Sequence, residues 1–138
     1  MKLYIASASK SPNIETVEHY IRLIRAQALH NLSTDIEITY DWTIAVRKAG
    51  DGSPDDANTR LAAVLNDMAG VRAADLVWVI APPVASTSTG AWFEMGYAVG
   101  CAVPFITSGD VKRCIFADLA LKQFVTDDEA FAFIRRAL

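Results

Sequence analysis

An acidic side chain in apolar surroundings is the first feature of this 138-residue sequence that suggests chemistry. Glu94 follows a loop of small residues, 85–90, and falls in the first turn of a predicted helix. Its neighbours along that helix are Trp92, Phe93, Met95 and Tyr97. A carboxylate there is partly desolvated, while the amides at the helix start favour its charged form. The position equally suits an ordinary glutamate that complements the helix dipole, so position alone leaves both interpretations open.

A second acid, Asp75, stands immediately before the most hydrophobic run of the chain, Leu76 to Ile80. If burial raises its pKa, Asp75 can hold a proton and pass it to a leaving group. The alternative is structural, because an aspartate at a strand start also caps backbone amides. Glu94 and Asp75 together indicate carboxylate chemistry.

Other familiar chemistries find no support in the sequence. It has no G-x-G-x-x-G or G-x-x-x-x-G-K-[ST] phosphate loop and no H-E-x-x-H motif. His19 and His30 are eleven positions apart on one predicted helix, which supports neither a metal site nor a catalytic pair. We therefore expect no metal and no cofactor.

Composition narrows the class of partner. The net charge is −3 and no basic run occurs, which disfavours nucleic acid. The apolar stretches are too short to span a bilayer, and the N-terminus shows no signal peptide. Cys101 and Cys114 form no C-x-x-C pair and are expected to be reduced. We expect a cytoplasmic protein that acts on a small molecule.

Hydrophobic periodicity places the candidate residues on alternating strands and helices. Strands are predicted at Leu3 to Ala6, Ile36 to Tyr40 near a sheet edge, Leu76 to Ile80 in the centre, Val103 to Ile106, and Phe124 to Val125. Helices are predicted from Ser11-Pro12 to about Ala28, from Ser53-Pro54-Asp55-Asp56 with Leu61, Val64, Leu65 and Met68 as the buried face, from Gly90 to about Gly100, and from the capping box Thr126 to Glu129 onward.

This alternation predicts a single three-layer α/β/α domain over residues 1–138, with a mostly parallel five-stranded sheet of the flavodoxin or Rossmann type. Ligands in such sheets bind beyond the carboxyl ends of the strands. The segments expected to meet a ligand are therefore the loops at 7–11, 41–55 and 82–90.

Three segments of the chain resemble one enzyme family. They are Gly90-x-x-x-Glu94-x-Gly96-Tyr97-Ala98 after Ala74-Asp75-Leu76-Val77, the opening Leu3-Tyr4-Ile5-Ala6-Ser7, and Ile38-Thr39-Tyr40-Asp41-Trp42-Thr43. Their order and spacing resemble the nucleoside 2-deoxyribosyltransferase family, over residues 2 to about 107. The family cleaves or transfers at the N-glycosidic bond of nucleosides and includes a branch that hydrolyses deoxynucleoside monophosphates.

The resemblance implies roles for particular residues. Glu94 matches the glutamate that attacks the anomeric carbon, Asp75 an aspartate that assists the leaving base or holds the sugar, and Tyr4 a tyrosine that hydrogen-bonds the nucleophile. Gly90 and Gly96 match glycines that let backbone approach the sugar and pack the helix. This fits an oxocarbenium-like transition state, which a carboxylate stabilises or bonds covalently.

Two departures from the family pattern bear on the substrate. Ser88 stands where transferases often carry a carboxylate, and it resembles the monophosphate branch instead. Ser7, Ser9, Ser86 and Ser88 then form a predicted phosphate cup, with ordinary loop and cap chemistry as the alternative. Trp92 replaces a common glycine and reshapes the sugar pocket, while Trp42 is a candidate to stack on a base.

The expected function is cleavage or transfer at an N-glycosidic bond through Glu94, with hydrolase and transferase both open. A NAD-type glycohydrolase and a non-catalytic nucleotide-binding module are the alternatives. Because family members commonly assemble so that a neighbouring subunit closes the site, the resemblance also implies a homodimer or larger homo-oligomer.

Overall fold

One parallel sheet organises the protein, whose computed structural model describes residues 1–29, 36–50 and 56–136. Its strands lie in the order β2-β1-β3-β4-β5, and each neighbouring pair is parallel. They are β1 (Lys2–Ala6), β2 (Glu37–Ile38), β3 (Leu76–Ile80), β4 (Phe105–Ser108) and β5 (Lys122–Phe124). The helices are α1 (Asn13–Leu29), α2 (Trp42–Ala49), α3 (Ala57–Ala73), α4 (Gly90–Gly100) and α5 (Asp127–Arg136), with a short 3-10 helix at Ile115–Leu119. The predicted fold class is confirmed.

The first face of the sheet is covered by α1 and α5. Side chains alternate between the two faces along a strand, and the register of β1 and β3 turns Tyr4 and Trp78 to opposite faces. Trp78 meets Tyr20 of α1 edge-on and stacks with Phe131 of α5. The two central strands β1 and β3 are apolar on both faces, as buried parallel strands require.

The second face carries α3, α4 and the 3-10 helix, because crossovers between parallel strands are right-handed. Gly70 allows α3 to approach β1 closely. A Cβ atom at Gly70 would lie 2.9 Å from Cδ2 and Cε2 of Tyr4 and 2.8 Å from Cβ of Tyr40. No larger residue fits there without displacing an aromatic side chain.

The exposed side of α3 contradicts the sequence analysis. Leu61, Val64 and Leu65 were predicted to be buried, but they are 57%, 47% and 56% exposed. The buried residues of α3 are Gly70 and Val71. Since α3 carries apolar residues on both sides, hydrophobicity alone does not identify the side that the sheet covers.

Several element boundaries differ from the prediction. Trp42–Ala49 forms α2 where a loop over 41–55 was predicted, because its first two residues, Trp42 and Thr43, are buried. β4 begins two residues later than predicted and β5 two residues earlier. The start of α3 was predicted at residues 53–56, of which 53–55 lie outside the described residues. Asp56 caps the helix, because its carboxylate accepts from the Thr59 amide at 2.7 Å.

The ends of α1 and α5 test the capping predictions. Glu129 N donates to Thr126 Oγ1 and Thr126 N donates to Glu129 Oε2, both at 3.2 Å, so the predicted capping box is confirmed. The prediction that Ser11 caps α1 is wrong, because its hydroxyl donates to Glu15 Oε1 at 2.6 Å. Of the helices in the described ranges, none combines the length and apolar character needed to cross a bilayer.

Candidate active site

The hydroxyl group of Tyr4 lies between two carboxyl groups. Its oxygen is 2.9 Å from Oε1 of Glu94 and 3.1 Å from Oδ1 of Asp67. β1 supplies Tyr4, α3 supplies Asp67 and α4 supplies Glu94, so three elements distant in sequence meet at one hydroxyl. Burial, followed by the charges of Glu94 and Asp67, raises the pKa of Tyr4 far above its ordinary value. The hydroxyl group therefore remains protonated.

Glu94 points inward from the second turn of α4, because four helical residues, 90–93, precede it. The prediction had placed it in the first turn. Oε1 is in hydrogen-bond contact with the Tyr4 hydroxyl group, while Oε2 is buried and has no hydrogen-bond partner among the described residues. Burial, reinforced by the charge of Asp67 and opposed by the Tyr4 hydrogen bond, raises the pKa of Glu94 to about 8. One oxygen is thus held in place by Tyr4, and the other has its lone pairs unused by the described residues.

Asp67 is a site residue that the sequence analysis missed. Burial raises its pKa to about 6, against the opposing effect of the hydrogen bond with Tyr4. Asp67 precedes Gly70 and Val71 by three and four positions, so all three lie on the side of α3 that faces the sheet. An acid on the buried stripe of a helix is uncommon unless it has a partner, but this signal was hidden because the sequence predicted a different side of α3 to be buried.

Asp75 lies apart from this cluster. It is exposed, and its Oδ2 accepts from the backbone amide of Lys2 at 2.7 Å, while its own amide donates to the Lys2 carbonyl at 2.8 Å. These bonds tie the amino ends of β1 and β3 together. The geometry matches the structural alternative for Asp75, and Asp67 occupies the place beside Glu94.

Ser7 links the carboxyl ends of β1 and β3. Its buried hydroxyl donates to the Ile80 carbonyl at 3.2 Å and accepts from Asn13 Nδ2 at 2.7 Å. Asn13 also donates to the Ala81 carbonyl at 3.1 Å. The hydroxyl of Ser7 is therefore occupied by the protein at the point where the strand order reverses.

Ser9 is exposed and lines a groove of about 360 Å³ at the carboxyl end of β1. The residues that line this groove are Ser9, Lys10, Ser11, Ile14, Val46, Arg47 and Gly50. Arg47 donates to both carboxylate oxygens of Glu18, at 2.8 and 2.9 Å. The groove thus presents hydroxyl groups beside two cationic side chains, Lys10 and Arg47, and Arg47 is paired with Glu18.

Ser86 and Ser88 lie on the loop between β3 and α4. Ser86 Oγ accepts from the Ser88 amide at 3.1 Å, which is local turn chemistry. The loop is held from outside by Arg113, a residue the sequence analysis did not identify. Its guanidinium donates to the carbonyls of Pro82, Pro83 and Val84 at 3.2, 3.0 and 2.6 Å.

The predicted aromatic and glycine contacts are mostly structural. Trp42 is buried, and its Nε1 donates to the Ile5 carbonyl at 2.7 Å. Trp92 is partly buried against the core. A Cβ atom at Gly90 or Gly96 would meet nothing within 4 Å in the described residues, so the packing role predicted for Gly96 is not supported.

Comparison with known proteins adds a likeness of fold. The structure resembles that of a CMP N-glycosidase from Clostridium botulinum, BcmB, with a TM-score of 0.55 and 14% sequence identity. The match covers 99% of this chain and 98% of that one. A scan against protein-family models and a search of curated proteins find no match.

The cluster contains groups of the kind that a double-displacement reaction uses. A buried carboxyl oxygen without a partner suits a nucleophile. A second carboxyl with a raised pKa suits an acid that protonates a leaving group. Tyr4 fixes both carboxyl groups at a common point, so the arrangement is preorganised by the fold.

Proposed function

We propose that the protein cleaves the N-glycosidic bond of a nucleoside 5′-monophosphate, with Glu94 as nucleophile. The observation that carries the proposal is the contact of Tyr4 with two carboxyl groups, one of which has a buried oxygen free of partners. The similar fold of an N-glycosidase that acts on CMP supports the same class of bond.

Each step of the proposed reaction uses the described residues. Oε2 of Glu94 attacks the anomeric carbon and forms an ester as the bond from that carbon to the base breaks. Asp67 donates its proton to the departing base and becomes a carboxylate. Water then attacks the same carbon and gives its proton to Asp67, and the ester bond to Glu94 breaks. Transfer differs only in that a second base replaces the water.

The groove around Ser9 supports a phosphorylated substrate. It lies at the carboxyl end of β1, where ligands of parallel sheets bind, and combines hydroxyl groups with Lys10 and Arg47. Ser7, by contrast, is bound to Ile80 and Asn13, so we assign the phosphate contact to Ser9 and Lys10 rather than to Ser7.

Release of free base tests this proposal directly. Wild-type protein is incubated with a panel of nucleosides, their 5′-monophosphates and NAD, and the released base is measured by chromatography. We expect release from a monophosphate and loss of ~10³-fold or more in Glu94→Gln. Asp75→Asn is the matched control and keeps near wild-type rates. No release from any compound, or equal loss in both variants, refutes the assignment.

A homodimer is the second part of the proposal, and it rests on the apolar exterior of one layer. Thirteen large hydrophobic residues are exposed in the described part of the chain, and eight of them lie on α3, α4 and the 3-10 helix. They are Leu61, Val64, Leu65, Phe93, Val99, Ile115, Phe116 and Leu119. The described residues of α1 and α5, on the other layer, include a single exposed large hydrophobic residue, Leu29.

A second copy of the chain suits this layer. A standard interface takes ~800 Å² from each partner, about a tenth of the 7859 Å² that the chain exposes. Eight side chains at roughly half exposure supply apolar area of that order. An apolar face can be its own complement, which a two-fold interface requires.

Light scattering at micromolar concentration tests the dimer. We expect twice the chain mass for wild-type protein and a monomer for Leu65→Glu. Leu29→Glu places the same charge at a position 83% exposed on α1, so it serves as the matched control and stays dimeric. A monomeric wild type contradicts the proposal.

A further inference from the structure

The two contacts of Tyr4 constrain how many protons the site holds. A phenol has one proton and donates one hydrogen bond, yet its oxygen lies within hydrogen-bond distance of both carboxyl groups. Two ionised carboxylates accept but do not donate, so one of the two contacts would then join lone pairs. Both contacts are hydrogen bonds only if one carboxyl group is protonated and donates to Tyr4.

We infer that Glu94 and Asp67 share one proton before substrate binds. We also infer that Tyr4 relays this proton from Glu94 to Asp67 when substrate binds. This inference rests on the proposed function and adds a catalytic role for Tyr4. Glu94 gives its proton to the Tyr4 oxygen while the Tyr4 proton passes to Oδ1 of Asp67. Glu94 becomes the anionic nucleophile and Asp67 becomes the acid in one step, and no proton is gained or lost.

The surroundings favour this single-proton state. Burial is the first cause of the raised pKa at Glu94, at Asp67 and at Tyr4, and the remaining causes come from within the cluster. Tyr40 is a further titratable group beside the cluster, since the charge of Asp67 contributes to raising its pKa. No cation is among the causes of these shifts, so a proton is what offsets the second negative charge.

The direction of the relay follows from the two carboxyl groups. In the absence of substrate the proton resides on Glu94, because Oε2 of Glu94 is buried without a hydrogen-bond partner among the described residues and a negative charge there is poorly stabilised. Burial also raises the pKa of Glu94 further than that of Asp67, to about 8 against about 6. A sugar whose anomeric carbon becomes positive stabilises the anion of Glu94 when it lies against Oε2. Substrate therefore moves the proton toward Asp67, where the leaving base needs it.

Infrared spectroscopy tests the shared proton without any substrate. Wild-type protein at pH 7 should show the carbonyl band of one buried protonated carboxyl group, and this band should be absent in Glu94→Gln. In Asp67→Asn the band should titrate away at lower pH, because the charge that helps to keep Glu94 protonated is gone. A wild-type spectrum without a protonated carboxyl band at pH 7 overturns the inference, even if the protein is an N-glycosidase.

Kinetics with two leaving groups test the relay itself. The substrates are the best nucleotide of the panel and an analogue with a 4-nitrophenol leaving group, which departs without a proton. For Tyr4→Phe we expect kcat with the nucleotide to fall ~10²-fold at every pH, with KM little changed. With the analogue, the loss should be ~10-fold or more at pH 7 and should disappear at pH 9.5, where Glu94 is ionised without a relay.

A purely orienting role for Tyr4 predicts a different pattern. The variant would then lose the same factor with both substrates at all pH values, and that result overturns the relay. Circular dichroism and the thermal midpoint of each variant establish that the fold is retained. If Tyr4→Phe does not fold, Tyr4→3-fluorotyrosine, which keeps the hydroxyl group and lowers its pKa, should retain the relay and shift its pH dependence.

Discussion

Gly70→Ala should damage both stability and activity, although alanine favours helices more than glycine does. In the interior of a helix the exchange ordinarily stabilises by up to ~1 kcal/mol. Here the new Cβ would lie 2.8 Å from Cβ of Tyr40 and 2.9 Å from two ring carbons of Tyr4. Such overpacking costs ~1–3 kcal/mol, so the net effect is a loss of ~0–2 kcal/mol. Relief of the clash also moves the ring of Tyr4, and with it the hydroxyl that contacts Glu94.

The assays are the free energy of unfolding in denaturant and the rate of base release. Gly96→Ala is the matched control, because a Cβ at Gly96 meets nothing within 4 Å. We expect Gly96→Ala to be as stable as wild type or more stable, with unchanged kcat. Gly70→Ala should be less stable than this control by ~1–3 kcal/mol and at least ~10-fold slower. Equal stability and rate in the two variants would refute the argument that Gly70 positions Tyr4.

Three further outcomes follow from the same geometry. Glu94→Gln should gain stability relative to wild type as the pH rises from about 5 to 8. The folded-state pKa of Glu94 is about 8 against an ordinary value of 4.5, so native wild-type protein binds more protons than the unfolded chain and loses stability over that window. Unfolding curves of both proteins at pH 5 and pH 8 measure this difference in stability, and a difference that does not change with pH contradicts the prediction. The rate of base release should depend on pH in a bell-shaped curve. It should fall below about pH 6, where Glu94 and Asp67 together gain a second proton, and above about pH 8, where they lose their one proton. A rate that stays constant from pH 5 to 9 would count against a shared proton. Arg113→Ala should raise KM several-fold with kcat nearly unchanged, because three carbonyls of the loop before α4 lose their donor. Arg113→Gln keeps an amide donor at this position and should bring KM part of the way back toward the wild-type value.

The general architecture was predictable because its signals are local. The apolar run of β3, the alternation of strands and helices and the capping box of α5 each depend on a few consecutive residues, and all were found in the structure. The short helix α2 was missed because the turn chemistry that follows it dominates the 41–55 segment. The hydrogen bond from Trp42 to Ile5 joins residues 37 positions apart, and no local pattern announces it.

The site was only half predictable for the same reason. Tyr4 and Glu94 were identified through a family resemblance, and the structure brings them within hydrogen-bond distance across 90 positions. Asp75 was chosen as the second acid because it stands next to a conspicuous strand. Its carboxylate instead bonds the backbone of Lys2, a contact that depends on how β1 and β3 pair rather than on the sequence around either residue.

Asp67 and the exposed stripe of α3 have a common physical origin. α3 has two sides that hydrophobicity scarcely distinguishes, one with Leu61 and Leu65 and the other with Gly70 and Val71. The sheet selects the second side because β1 presents a tyrosine there, and only a glycine leaves room for its ring. Asp67 lies three positions before that glycine, so the fit of Tyr4 to Gly70 also delivers the carboxylate to the Tyr4 hydroxyl. The same rotation of α3 turns Leu61 and Leu65 outward, where we propose that a second copy covers them.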